Sequence, residues 1–182
     1  MGDEFLVVDL PAKGLVLAKH TAEVPGSQVD SIREGPDTGL GPFISSHLVL
    51  LQGFQQPQFA AVLADMRRMY PDIDVVEQHP DARRWLLRNR VRSDHVQAQQ
   101  FKLLGKTEAE FGLWWTHIQN GRFQLRAEVK SHAAGLKDVE RLRAVYRKAG
   151  IPAEARLATL SDGERAVSLL LRELKDRYPI GL

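Results

Sequence analysis

Between Phe111 and Lys130 the chain reads as a β-hairpin in which the turn and the strand alternation support one another. Asn120-Gly121 is the residue pair that accepts two consecutive positive φ angles, as a two-residue type I′ turn requires. Pairing outward from that turn sets Ile118 opposite Phe123, Thr116 opposite Leu125 and Trp114 opposite Ala127. Side chains alternate along a strand, so Phe123, Leu125, Ala127 and Val129 share one face. Arg122, Gln124, Arg126, Glu128 and Lys130 share the other, joined by Trp115 and His117. One face is expected to join a core and the other to be a basic, polar surface bearing an indole. A register slip of one residue would exchange Trp114 and Trp115.

The rest of the chain is read around this hairpin. Phe5–Leu10 and Leu15–Val24 look like two strands of an N-terminal β-hairpin within residues 1–24. Residues 25–46, rich in Gly and Pro, read as a linker. Their glycines precede neither a Lys-Ser or Lys-Thr pair nor a helix, so a phosphate-binding loop is not indicated. His47–Phe54 is an apolar run expected to be a strand buried on both faces. Its cover would be the first hairpin, the last helix or a second copy of the chain. A helix opening at Pro57 carries Phe59, Val62, Leu63, Met66 and Met69, and a strand over Ile73–Gln78 completes a β-α-β unit.

A helical insert is expected over residues 81–104, with Arg84, Arg88 and Arg92 one turn apart. Thr107-x-x-Glu110 resembles a capping box ahead of the Trp114 strand. After the hairpin, Leu136, Val139 and Leu142 mark a helix that stops at Gly150. A strand within Ile151–Leu160 follows, and the capping box Ser161–Glu164 opens a C-terminal helix. The expected fold is α+β: a ferredoxin-like βαβ–βαβ core within an α+β domain at 47–182, with the hairpin, insert and last helix added.

Composition narrows the function. The 182 residues contain no cysteine, which excludes disulfides, cysteine nucleophiles and thiolate metal sites. No apolar run reaches the roughly 18 residues of a membrane span, and the acidic start lacks the basic flank of a signal peptide. A cytoplasmic protein without membrane contact is expected, and 17 Arg against 8 Lys suggests a bacterial coding style. The net charge of +2 is unevenly placed. Residues 1–80 carry 5 basic and 11 acidic groups, and residues 81–149 carry 15 and 7. The middle segment therefore suits an acidic partner or the acidic first segment itself.

These features point to a non-enzymatic nucleic-acid-binding module. Trp115 would stack on a base of a single strand, while Arg122, Gln124, Arg126 and Lys130, with Arg84, Arg88 and Arg92 of the insert, would contact phosphates. The alternative is an assembly or adaptor protein that buries apolar sheet surface against a protein partner or in a homo-oligomer. A third reading takes Glu128-Val129-Lys130 as the E-x-K step of a metal-dependent nuclease, with Asp72 as the second acid. The six histidines show no metal-ligand spacing, and no cofactor motif is present.

Overall fold

The computed structural model describes residues 4–34, 43–96 and 114–179. In chain order the elements are β1 (Glu4–Leu10), α1 (Val16–Glu23), β2 (Gln28–Arg33), β3 (Phe43–Gln52), α2 (Gln56–Met69), β4 (Ile73–His79), β5 (Arg84–Arg92), β6 (Trp114–Gln119), β7 (Arg122–Glu128), α3 (His132–Lys148), β8 (Glu154–Thr159) and α4 (Asp162–Arg177). The fold is α+β, built on one eight-stranded sheet of order β4-β5-β3-β2-β6-β7-β1-β8 with every neighbouring pair antiparallel.

The β6–β7 hairpin forms with the expected register, Ile118 against Phe123, Thr116 against Leu125 and Trp114 against Ala127. Asn120 and Gly121 take φ of 54° and 77°, the left-handed pair that lets the turn follow the twist of its strands. A second left-handed glycine, Gly53 at φ 84°, ends β3, and a Cβ there would lie 2.6 Å from the Gly26 carbonyl oxygen.

The two expected β-α-β units exist as β3-α2-β4 and β7-α3-β8, but their strands do not interleave in a ferredoxin-like order. Each unit occupies its own half of the sheet and encloses one further strand, β5 in the first and β1 in the second. The halves meet where β2 pairs with β6. Three sequence expectations change accordingly. The N-terminal segment is not a hairpin: β1 lies between β7 and β8, and Val16–Glu23 is a helix. The 25–46 linker contains β2 and the start of β3, with residues 35–42 outside the described residues. The arginine-rich part of the 81–104 insert is strand β5, while residues 97–104 and the Thr107–Glu110 capping box lie outside the described residues.

Strand β5 is legible as a strand once its alternation is followed. Trp85, Leu87 and Val91 face one side and Leu86 with the arginines the other. Both sheet faces are covered. On one, α1 and α2 pack on Val29, Val49, Leu51, Trp85 and Leu87, and α3 packs on Leu6, Val8, Leu125 and Ala127. On the other, α4 lays Leu171 and Leu174 over Phe5, Ile32, Leu48, Leu50 and Leu86. The last helix is thus a cover of the doubly apolar strand β3. Its N-terminus has the predicted capping box, Ser161 accepting from the Glu164 N–H and Glu164 accepting from the Ser161 N–H.

Candidate functional site

The polar face of the hairpin lies under α4 rather than open to solvent. Trp115 is 0% exposed and meets Phe5 edge to face at 5.8 Å, so its ring offers no surface for a base. Arg126 is buried. It pairs with Glu164 at 3.0 Å and donates to Gln124 Oε1, while Gln124 donates to Asp9. Burial draws the Arg126 guanidinium below the usual arginine range, against the opposing pull of Glu164. His117 shares a 2.7 Å hydrogen bond with the fully buried Asp30.

The insert arginines are also engaged. Arg88 forks onto the buried Glu34 and donates to the Tyr178 carbonyl. Arg92 pairs with Asp72 at 2.8 Å on the surface. Arg84, Arg122 and Lys130 are exposed. Strand register joins the first two through one row, Arg84–Gln52–Gln28–Gln119–Arg122, which crosses five strands. At about 4.8 Å per strand the row is roughly 19 Å long. Glu128 pairs with Arg172, and four strands separate β7 from β4, which Asp72 precedes. The E-x-K step therefore has no second acid at Asp72, and no cluster able to hold a metal ion occurs among the described residues.

The opposite face presents a different arrangement. Helices α2 and α3 are crossovers of separate halves, so each covers its own strands, and between them the centre of the sheet is left partly bare. Small side chains, Ser31 and Thr116, floor this gap beside Val49. A cavity of about 340 Å³ results. Met66, Met69 and Tyr70 from α2 and its end form one wall, and Tyr146 of α3 with Ile151 and Pro152 after it form the other. Leu15, Val16 and Leu17 close one end, where His20 bonds Asp65 at 2.7 Å and ties α1 to α2. That bond holds the Asp65 carboxyl below the usual carboxylate range.

Two polar residues of the lining, His47 and Asn89, stand opposite each other at the β3–β5 pairing. His47 hydrogen-bonds Ser45 at 3.0 Å, and burial, helped by the charge of Arg33, pushes it down to about 3, so the ring is neutral. Burial pushes the Tyr70 hydroxyl up to about 12, which keeps its proton, and the ring stacks on His95 at 4.5 Å. Asn89 is 5% exposed, and its Oδ1 is buried without a hydrogen-bond partner. Such an orphan acceptor costs about 1–3 kcal/mol.

No protein-family model, curated protein or solved structure matches this chain. Sequence reasoning did not find the cavity, because its lining comes from several separate segments. The one local signal is Asn89, an amide where the alternation of Trp85, Leu87 and Val91 calls for an apolar side chain.

Proposed function

We propose that this protein binds a small, largely apolar molecule in the cavity between α2 and α3. The observation that carries the proposal is an apolar-walled cavity of ordinary ligand size, about 340 Å³, left between two crossover helices. At about 30 Å³ per water, the volume corresponds to roughly ten non-hydrogen atoms. Two lining groups bear on whether the site binds or reacts. His47 and Tyr70 are both shifted away from neutrality, whereas a general acid or base works best with a pKa near the operating pH. Binding without chemistry is the simpler use of this set.

Nucleic-acid binding is a second reading. It is favoured by the exposed row from Arg84 to Arg122, and it no longer involves Trp115 or Lys130, which follows the far end of β7. The adaptor reading has less support, since α2 and α4 cover the apolar strand that motivated it. Calorimetric titration with butylbenzene separates these. A saturable 1:1 isotherm that Thr116→Phe abolishes, by filling the floor of the cavity, supports the cavity reading. Absence of butylbenzene binding, with salt-sensitive binding of a single-stranded oligonucleotide lost in Arg84→Ala/Arg122→Ala, supports the nucleic-acid reading instead.

A further inference from the structure

We infer that the ligand of this cavity is an amphiphile, with an apolar body that fills the cavity and an anionic head that stays at its mouth beside Lys13. The inference rests on the cavity being a binding site and names the class of molecule it takes. Exposure locates the mouth. Among the described lining residues, Pro11, Lys13, Gly150 and Pro152 are exposed, and the rest are buried or half-buried. Asp9 pairs with Glu154, so the loop after β1 and the loop before β8 leave the same end of neighbouring strands. The cavity therefore opens to solvent between these two loops. A polar head bound there keeps part of its hydration, while the apolar body lies against Met66, Met69, Tyr70 and Phe123.

The charge around the mouth has one sign. Lys13 is the one charged side chain among the described lining residues, which include no aspartate or glutamate. It forms no ion pair or side-chain hydrogen bond with any described residue. Leu15, two residues on, lines the cavity as the N-cap of α1, and no side chain caps that helix, so the N–H groups of its first turn add partial positive charge. Across the mouth, Arg147 and Lys148 occupy the last turn of α3 just before Gly150. The acids nearest in sequence are directed elsewhere. Asp9 and Glu154 alternate with Val8 and Ala155, which pack under α3, and so belong to the opposite face of the sheet. Asp65 on α2 is engaged by His20 and Arg68. A singly charged head such as a carboxylate therefore gains the Lys13 ammonium and enters no apolar wall.

The test is calorimetric titration at pH 7 with 4-phenylbutyrate and 4-phenylbutan-1-ol, which share an apolar body and differ in the head, and with butylbenzene as the headless reference. The expected result is that the carboxylate binds about fivefold more tightly than the alcohol at low salt, the size of one partly exposed ion pair. Added salt shrinks this advantage by screening it. In Lys13→Gln the advantage falls below about twofold, and in Lys13→Glu the alcohol becomes the tighter ligand. Lys13 is exposed in a loop, so neither substitution removes a packed side chain. A carboxylate no tighter than the alcohol in the wild type, or an advantage that survives both substitutions, overturns the inference and leaves the cavity reading standing. Failure of all three compounds to bind overturns the cavity reading itself.

Discussion

Replacing Arg88 by alanine should be among the most damaging single changes in this protein, and for a structural rather than a functional reason. The Glu34 side chain is 1% exposed and takes three hydrogen bonds from Arg88, between 2.9 and 3.1 Å, and one from Ser46 at 2.8 Å. Arg88→Ala leaves a buried carboxylate with the Ser46 hydroxyl as its remaining partner here. Breaking one side of a buried ion pair costs about 3–5 kcal/mol. Arg88 Nη2 also donates to the Tyr178 carbonyl at 2.9 Å, so the end of α4 loses an anchor and the cost moves toward the upper figure. At about 2–4 °C per kcal/mol for a chain of this size, Tm should fall by roughly 10–15 °C. Far-UV circular dichroism checks both figures, the free-energy loss by urea unfolding and the fall in Tm by thermal unfolding. Arg92→Ala is the control, since its pair with Asp72 is on the surface and contributes about 0–1 kcal/mol. The double change Glu34→Gln/Arg88→Met should recover at least half of the loss by removing the stranded charge. A cost under about 1 kcal/mol for Arg88→Ala, or no recovery in the double variant, refutes the reasoning.

Three further outcomes follow from the same structure. His47 titrates near 6.5 when unfolded and near 3 when folded, so between those values the unfolded chain binds a proton that the folded one does not, and stability falls with falling pH. Removing the imidazole in His47→Gln should flatten the pH dependence across that window by about 1 kcal/mol per pH unit, and equal slopes in the two proteins would contradict the burial of a neutral ring. All three tryptophans are at most 2% exposed, so iodide should barely quench the fluorescence of the folded protein, and quenching comparable to free tryptophan would show an indole in solvent. Gly53→Ala, which must hold a positive φ and place a Cβ 2.6 Å from the Gly26 carbonyl, should destabilise by about 1–3 kcal/mol in urea unfolding, with a loss under about 0.5 kcal/mol counting against the turn geometry.

What the sequence made legible was local pattern, and what it hid was the pairing of distant segments. Asn120-Gly121 and the alternation around it determine the β6–β7 register, because the turn type admits one pairing. Ser161 and Glu164 mark the start of α4 through bonds three residues apart. Strand β5 was misread because Arg84, Arg88 and Arg92 recur at four, a spacing that serves a helix turn and a strand face equally, and because Leu86 sits among the arginines. Helix α1 was misread because its eight residues include the β-branched Val16 and Thr21 and lack an N-cap side chain. The insertion of β1 between β7 and β8 joins residues about as far apart as the chain allows, and no local signal encodes it. The candidate site follows the same rule. Trp115 was assigned to the polar face correctly by register, but the helix that buries it begins at Asp162. The cavity exists because two crossover helices leave a gap, which no single segment shows.

The most direct test of ligand binding between α2 and α3 uses the methionines. The chain has three, and two of them, Met66 and Met69, line the cavity. With ¹³C-methyl methionine and added 4-butylphenol, the two cavity resonances should shift together and saturate at one equivalent. Unmoved Met66 and Met69 signals at ligand saturation would contradict the account.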